Sequence, residues 1–345
     1  MKRSLFIILS LVVCAGLFAQ VSPYGSARMG FFYEMQDEFW NGNGESRIVN
    51  TYDMQANSRF GVDFKKDEFK GKVEFGYNGG NPNVRFLWAE QQFDGFSILA
   101  GQEEDGFNKR STQVGFGDNA LKGYGWIDGG RVPQIKFKLD GGFYLALIKQ
   151  NAINASGATG SIDALIPKIN LGYDWKIDSD KQFYITAGFQ MYSYNEDFGP
   201  HDGSVTSFAG ALTWDQRADA LRYRVHGFFG QNARNMGLSG NIKGAVWNAV
   251  DNETFDVTTI ALFADMGYDI SDTFNLGFGV GYQQDSGDDA IGDDALANLG
   301  FFVQGVFKME NLRLTPEVGY LMQDMNNDDP WTNIYFGCQL RYDFK

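Results

Sequence analysis

The sequence predicts an all-β fold, a transmembrane antiparallel β-barrel of about 16 strands with long loops at one end and short turns at the other. Three observations predict it. The C-terminal stretch 333–345 alternates between apolar and polar residues, as a strand does when its two faces meet different surroundings. Gly (43), Phe (31) and Tyr (16) are abundant and Pro (7) is scarce, which suits one large continuous sheet. Mostly longer polar segments alternate with turns of a few residues along the whole chain.

The last stretch shows how the two faces of such a strand differ. One face is apolar and carries no charge, and it consists of Ile334, Phe336, Cys338, Leu340, Tyr342 and Phe344. A strand that crosses a bilayer needs about 9–11 tilted residues, apolar towards lipid and polar towards the interior. The stretch satisfies this requirement, and its apolar face ends in aromatic residues as a membrane-interface girdle does. Cys338 is interpreted as a small hydrophobic residue on this face.

Alternating stretches recur along the chain and define the strands. The clearest covers 53–65, where Phe60 and Phe64 oppose Arg59 and Asp63, whereas the alternation at 85–93 is poor. The predicted strands are 27–36, 53–65, 70–77, 85–93, 96–101, 134–139, 143–150, 168–176, 183–191, 206–214, 221–229, 260–268, 274–283, 299–307, 312–322 and 333–345.

The connections between these strands differ in length. Short turns are predicted at 66–68, 94–95, 140–142, 178–180, 269–272 and 309–311, and Asn81-Pro82-Asn83 turns the chain before the fourth strand. Longer loops are predicted at 37–50, 102–130, 151–163, 195–203, 232–254, 285–294 and 324–330. An even number of strands places both termini at the end that carries the short turns. A soluble sandwich gives no reason for this alternation.

The N-terminus reads as a secretory signal, with Lys2 and Arg3 before an apolar run from Leu5 to Val13 and cleavage after Ala19. The run is too short for a membrane anchor, which needs about 18 residues, and Cys14 leaves a lipoprotein signal as the lesser alternative. We therefore expect a signal peptide at 1–19 and a single barrel domain at 20–345. Loss of the signal changes the net charge from −14 to −16. A helical membrane protein is excluded, because mean hydropathy is −0.30 and no other long apolar run exists.

Several short segments resemble the Gram-negative outer-membrane porin family. They are Asn57-Ser58-Arg59-Phe60-Gly61, Leu99-Ala100-Gly101-Gln102, Arg131-Val132-Pro133-Gln134-Ile135, the strand entry Ile166-Pro167 and the C-terminal strand, in which Lys345 follows the aromatic residue that usually ends the family's chains. The resemblance implies a cell outer-membrane location, periplasmic turns and a homotrimer. It also implies that the third loop, here 102–130, folds inward and narrows the channel, although its sequence departs from the best-known inward-loop motif.

The polar strand faces supply the candidate site residues. Fixed charges on a lumen wall select among ions. The lumen-facing candidates are Lys70, Lys72, Glu74, Lys136, Lys138, Arg222, Arg224, Arg313 and Arg341. By resemblance, the pore constriction sets Glu103, Glu104 and Asp105 of the inward loop against Arg28, Arg59 and Arg85 of the wall. Such an arrangement predicts a transverse field and weak ion selectivity. A role for each charge in merely solvating and bracing the wall remains the plain alternative.

Other classes of function find little support in the sequence. His201 and His226 are the only histidines and no nucleophile motif accompanies them, so we expect no enzyme, no cofactor and no metal site. The acidic segment 285–294 fits no EF-hand and is interpreted as a solvated loop, with cation binding or lipopolysaccharide bridging as its alternative. Basic residues are spread over many strands of an acidic chain, which disfavours nucleic acid.

The leading hypothesis is an outer-membrane channel for passive diffusion of small hydrophilic solutes and ions. Its expected partners are outer-membrane lipid, lipopolysaccharide and those solutes. The rival is a closed barrel that acts as an adhesin or structural surface protein, and an outer-membrane hydrolase is a third possibility. Inward-facing glycines such as Gly277, Gly279 and Gly281 favour the channel, because they are expected to leave room in the lumen.

Overall fold

The first strand of the chain, β1 (Gln20–Gln36), pairs with the last strand, β20 (Trp331–Phe344), from Gly25 opposite Phe344 to Gln36 opposite Asn333. This pairing closes the sheet into a barrel and removes its free edges. The computed structural model describes residues 20–40, 44–150, 152–157, 162–164, 166–194, 204–248, 253–287, 295–324 and 329–344. The signal peptide predicted at 1–19 lies outside the described residues.

Every neighbouring pair of barrel strands is antiparallel. The strands between β1 and β20 are β2 (Arg47–Met54), β3 (Arg59–Lys66), β4 (Phe69–Asn78), β5 (Asn81–Phe93), β6 (Phe96–Glu104), β7 (Arg131–Leu139), β8 (Phe143–Ile148), β9 (Ile162–Asp163), β10 (Lys168–Lys176), β11 (Lys181–Tyr194), β12 (Ser204–Ala218), β13 (Leu221–Gln231), β14 (Val246–Asn248), β15 (Glu253–Phe255), β16 (Thr258–Ser271), β17 (Phe274–Ser286), β18 (Leu296–Met309) and β19 (Leu312–Gln323).

The barrel itself has 16 strands. Strands β2 and β3 are two parts of one interrupted strand that pairs with β1, and β9 continues β10 in the same way. The hairpin of β14 and β15 is separate from the barrel sheet. The predicted all-β, sixteen-stranded antiparallel barrel is therefore confirmed.

The alternation of each strand separates an apolar outer surface from a polar interior. On β20, Phe336 and Leu340 are more than two-fifths exposed on the outside, whereas Asn333 and Gln339 are buried inside. Leu276 and Phe278 of β17 are likewise exposed, as predicted for a lipid-facing surface.

The poor alternation of the fourth predicted strand has a local cause. The pairing of β4 with β5 shifts so that Glu74 lies opposite Phe86 and Phe75 lies opposite Val84, which leaves Arg85 as an extra residue. Such a bulge turns two consecutive side chains to one side. Arg85 and Phe86 are both buried inside, while Val84 is exposed outside.

The two ends of the barrel differ as predicted, with one exception. Short turns such as Asp94-Gly95 join the strands at the turn end, and longer connections lie at the loop end. The exception is the connection from β4 to β5, where Gly79 and Gly80 alone make the turn with positive φ angles of 58° and 94°. Asn81 and Pro82 already belong to β5, so the turn predicted at 81–83 lies two residues earlier.

Two loops carry apolar side chains that pack against the inner face of the wall. Loop 3 is defined as residues 105–130, and loop 6 as the described residues 232–248 and 253–257. Both loops contribute to one buried cluster that comprises Phe107, Ile127, Ala209, Ala211, Phe228, Ala233, Met236, Leu238, Ile242 and Ala261. A second cluster places Val114, Ala120, Leu121 and Tyr124 of loop 3 against Phe32, Phe302, Leu321 and Tyr335 of the wall. The sequence pattern did not indicate the inward packing of loop 6.

Candidate functional site in the barrel lumen

Loop 3 leaves the wall at a buried ion pair. Lys168 Nζ lies 2.6 Å from Asp105 Oδ2, and Asn170 Nδ2 donates to Asp105 Oδ1 at 2.9 Å. The same ammonium donates to the carbonyl of Met236 in loop 6 at 3.2 Å. All three side-chain groups are buried. Asp105 therefore fixes the start of loop 3 to β10 and to loop 6 and presents no free charge to the lumen.

The far part of loop 3 is held by one carboxylate of β19. Glu317 accepts hydrogen bonds from the backbone N–H of Val114 at 2.7 Å and of Gly115 at 2.8 Å. The Tyr335 hydroxyl donates to the same carboxylate at 2.9 Å. Glu317 is only 4% exposed, so these bonds satisfy a group that would otherwise be costly to bury.

A tight turn at Gly115–Asp118 follows this anchor. Phe116, Gly117 and Asp118 have positive φ angles of 52°, 73° and 66°, a region that only glycine enters without strain. The turn directs the Asp118 carboxylate towards Arg28 of β1, with which it forms an ion pair. Gln339 of β20 donates to the other carboxylate oxygen at 3.1 Å.

The interruption between β2 and β3, which we call the detour (residues 55–58), also forms hydrogen bonds with loop 3. Here four residues lie opposite only Ala27 and Arg28 of β1, and Ser58 exchanges hydrogen bonds with the backbone of Arg28. Gln55 Nε2 donates to the carbonyl of Val114 at 3.1 Å, and Asn57 Nδ2 donates to that of Gly117 at 3.1 Å. The segment quoted for its family resemblance thus contacts the loop.

The wall formed by β3, β4 and β5 carries a second carboxylate with basic neighbours. Glu74 lies 2.6 Å from Arg85 Nε and 3.7 Å from Arg59 Nε, and it accepts the Tyr24 hydroxyl at 2.8 Å. Glu74 and Arg85 are buried, whereas Arg59 is 27% exposed inside the barrel. The bulge at Arg85 makes this contact possible.

The three predicted acidic residues occupy different environments. Asp105 is buried as described, and Glu104 pairs with Arg110 at 3.1 Å and with Arg131 at 3.5 Å. The Glu103 carboxylate accepts the N–H of Glu104 at 2.8 Å. Within the described part of the chain, no ion pair joins any of these three to the predicted basic wall, where Arg28 pairs with Asp118 and both other arginines pair with Glu74.

Most of the remaining lumen-facing candidates also have carboxylate partners. Lys70 and Lys138 lie 3.3 and 2.9 Å from Glu90, and Lys72 lies 3.5 Å from Asp63. Further pairs join Arg222 and Arg224 to Asp215, and Arg313 and Arg341 to Asp343. Arg224 also donates to the carbonyl of Arg110 and so connects the β13 wall with loop 3. Lys136 is the exception and is considered below.

The inward glycines of β17 do not leave the open space that the sequence suggested. A Cβ atom at Gly281 would lie 1.8 Å from the carbonyl oxygen of Tyr124, and one at Gly279 would lie 2.2 Å from the Phe302 ring. At Gly277 it would meet Gln304 at 2.8 Å. These glycines make room for loop 3 and for neighbouring side chains, so the argument that they favour an open lumen is wrong.

Sequence reasoning missed Asp118, Arg110 and Arg131 as participants in the site. The glycines that flank Phe116 and precede Asp118 signal a sharp turn in the loop, which is a place where a charged side chain is often presented. Arg131 lies directly opposite Glu104 in the pairing of β6 with β7, and only the register of those strands reveals it.

Other classes of protein would show a metal site, a membrane-spanning helix or a histidine that could act in catalysis. No group of three or more His, Cys, Asp or Glu side chains there could hold a metal ion, and no helix among them is long and apolar enough to span a membrane. His226 is buried, shares a 2.8 Å hydrogen bond with Thr213 and stacks on Phe263. His201 and most of the acidic segment 285–294 lie outside the described residues.

Comparisons with known proteins find similarity in structure only. No family model matches the chain, and no curated protein matches its sequence. OmpT lacking loop L8, an outer membrane protein of Vibrio cholerae, is 17% identical with a TM-score of 0.60, over 94% of this chain and 99% of that one. The anion-selective porin from Comamonas acidovorans is 12% identical with a TM-score of 0.57, over 94% and 100%. Salmonella typhi OmpF, solved with daunomycin, is 14% identical with a TM-score of 0.56, over 94% and 97%. The chain shares the fold of these outer-membrane β-barrels.

Proposed function

We propose that the protein is an outer-membrane channel through which small hydrophilic solutes and ions diffuse passively. An apolar outer surface around a closed antiparallel barrel is what a bilayer requires of a spanning sheet. Among the solved structures that share the fold, one is named an anion-selective porin. The proposal includes export through a cleaved signal at 1–19, contact with outer-membrane lipid and lipopolysaccharide, and assembly as a homotrimer.

The observation that carries the proposal is the exposure of charged groups on the inside of the barrel. Arg59, Arg110 and Lys138 point inward and are about 27–35% exposed. Cavities of about 620 and 420 Å³ lie beside loop 3 towards the turn end, and one of about 510 Å³ lies at the loop end. Charged groups in such cavities require water, and a hydrated, charged lumen is what solute diffusion needs.

We further propose that the constriction lies between loop 3 and the wall that carries Arg28, Arg59 and Arg85. Glu103 and Glu104, which the sequence assigned to the loop, end strand β6 just before it. The loop carboxylate that faces these arginines is Asp118, which pairs with Arg28. Asp105 does not take this role, because it is bound to Lys168 of β10. Most charges along this passage have partners of opposite sign. We therefore expect weak ion selectivity, since a paired charge leaves a smaller net potential for a passing ion.

The rival proposal, a closed barrel with a structural or adhesive role, is favoured by a different observation. Loops 3 and 6 share a buried apolar cluster with the wall, and the ion pair of Asp105 with Lys168 ties both loops to β10. Packed loops of this kind could obstruct the lumen.

The proposal that the protein is not an enzyme draws on His226, the one described histidine, which is buried against Phe263 and Thr213.

Single-channel recording of the purified protein in a planar bilayer tests the proposal. We expect stepwise conductance that increases with salt concentration, as for a water-filled pore. The companion measurement is the swelling of vesicles that contain the protein in sugars of increasing size, which should slow as the sugar approaches the pore diameter. Absence of conductance at every salt concentration, from protein that migrates as a folded barrel, would establish the closed barrel instead.

A further inference from the structure

A cavity of about 620 Å³ lies towards the turn end between the start of loop 3 and strands β6, β7, β8 and β10. Its volume falls within the range of small-molecule sites, about 300–1,000 Å³. Charged side chains of both signs line it, including Lys109, Lys136, Glu103 and Asp174. These four differ from most lumen charges in that they have no ion-pair partner among the described residues.

Lys109 of loop 3 reaches into this cavity without a carboxylate to meet it. Its ammonium lies 3.7 Å from the centre of the Tyr184 ring, a cation–π arrangement. Among the described residues, no carboxylate oxygen lies within 4.0 Å of it and no acceptor takes a hydrogen bond from it. Burial lowers the pKa of Lys109, and the charge of Asp174 opposes this effect.

Lys136 of β7 likewise has no carboxylate partner among the described residues. Its ammonium lies 5.1 Å from the centre of the Tyr144 ring, and in the part of the chain that is described it forms no ion pair or hydrogen bond. Lys138, two residues further on the same strand face, shows the contrast, because it lies 2.9 Å from Glu90. Lys138 lines the same cavity, so of these two lysines of β7 it is Lys136 whose charge stays available to a solute.

Two carboxylates of the cavity, those of Glu103 and Asp174, also have no ion-pair partner among the described residues. Among the described residues, the Glu103 side chain accepts only the neighbouring N–H of Glu104, which leaves most of its acceptor capacity unused. The Asp174 side chain forms no ion pair or hydrogen bond with any described residue. Two unpaired ammonium groups and two unpaired carboxylates thus line one cavity while remaining more than 4.0 Å from one another.

We propose that this cavity is a binding site for zwitterionic solutes, such as free amino acids and short peptides. The solute carboxylate lies between Lys109 and Lys136, and the solute ammonium lies towards Glu103 and Asp174. A simple anion would meet the two carboxylates and a simple cation the two ammonium groups, so one molecule with both charges fits the cavity best. This inference rests on the proposed channel function and specifies the class of solute that binds inside the channel.

The test is equilibrium binding of 4-aminobutyrate to the folded protein in detergent, measured by titration calorimetry, with butyrate and butylammonium as matched probes. We expect saturable binding of the zwitterion and binding of either single-charge probe that is about tenfold weaker, because each lost charge removes a charge-assisted hydrogen bond. Lys136→Gln and Glu103→Gln should each weaken zwitterion binding about tenfold, and Lys136→Arg should retain it. Lys149→Gln, a change of an exposed lysine outside the cavity, is the matched control.

The outcomes separate this inference from the channel itself. Equal affinity for all three probes, or no saturable binding by protein that conducts potassium chloride, overturns the zwitterion site and leaves the channel standing. Specific binding by protein that never conducts overturns the proposed function instead. Migration of each variant as a folded barrel shows that it has folded, whether or not it conducts, so an unfolded variant is recognised and replaced by its Arg or Asn counterpart.

Discussion

Loop 3 meets the barrel wall on two flanks that are built from different side chains. On the packed flank, Phe302, Leu321, Tyr335 and Glu317 lie against the loop and are at most 4% exposed. On the charged flank, Arg59, Glu74, Arg85, Arg131, Glu104 and Arg110 form ion pairs, and three of them remain about 27–34% exposed. The same loop therefore has one side that is buried against the wall and one side where charged groups remain partly exposed.

The difference separates what positions the loop from what a solute would meet. Burial of a large apolar side chain contributes roughly 1.5–3 kcal/mol, whereas a partly exposed ion pair contributes about 0–1 kcal/mol. The packed flank should therefore determine where loop 3 lies, and the charged flank should determine what passes beside it. Three changes test this division, and a fourth tests which face of the wall lies inside the barrel.

The largest effect is expected from Phe302→Ala on the packed flank. Removal of a fully buried phenylalanine should cost about 3–5 kcal/mol of unfolding free energy, because a cavity remains beside Leu121 and Tyr335. Unfolding by denaturant in lipid vesicles measures it. Phe301→Ala, on the adjacent outward-facing residue, is the matched control and should cost less, since lipid fills the space. Equal losses would contradict the division into flanks.

The next effect tests which face of the wall is inside. Phe278→Arg should cost about 2–4 kcal/mol if the residue lies near the bilayer midplane, because a charge is then placed in hydrocarbon. Val306→Arg, which points into the cavity of about 420 Å³, is the control and should cost less. A smaller loss at Phe278 than at Val306 would reverse the face assignment.

Glu317→Gln is expected to cost about 1–3 kcal/mol, because an amide cannot accept from Val114, Gly115 and Tyr335 together and leaves a buried N–H unsatisfied. The loosened loop should also increase the noise of the open-channel current. Glu104→Gln, on the charged flank, should cost below about 1 kcal/mol. Quiet current together with unchanged stability in the Glu317 variant would show that the packed flank does not hold the loop.

Arg59→Glu should change stability least and selectivity most. The new carboxylate joins Glu74 on the charged flank and should shift the reversal potential in a salt gradient towards cations. Lys65→Glu changes the charge equally at an exposed position nearer the end of β3 and should shift it less. A strongly cation-selective wild-type channel that Arg59→Glu leaves unchanged would show that other charges govern permeation.

The division also shows what could be predicted from the sequence. Strand alternation depends on neighbouring residues, so the strands, the faces of Phe278 and Phe336 and the lumen position of Arg59 follow from it. The partners of these residues do not follow, because Arg28 meets Asp118 only after loop 3 has folded into the barrel. Asp105 illustrates the same limit, since its neutralising partner, Lys168, lies 63 residues away.

Two errors share a physical cause. The sequence predicts open space at the inward glycines of β17, but a missing side chain admits whatever backbone approaches it, here the carbonyl of Tyr124. The apolar residues of loop 6, such as Met236 and Ile242, have no strand or helix period that would indicate burial, and only their contacts with loop 3 reveal it. Packing between loops leaves no periodic signal in the sequence.

The detour at residues 55–58 has a consequence for the order of folding. Gln55 contacts loop 3 through Val114 and also accepts a hydrogen bond from Gln339, which lies 284 positions away on the last strand. Asp118 likewise contacts both Arg28 of the first strand and Gln339 of the last. Contacts between distant parts of a chain form late. Loop 3 therefore reaches its final position only when the first and last strands have joined, and its resistance to proteolysis should appear as the last event of assembly, after the hairpins have formed.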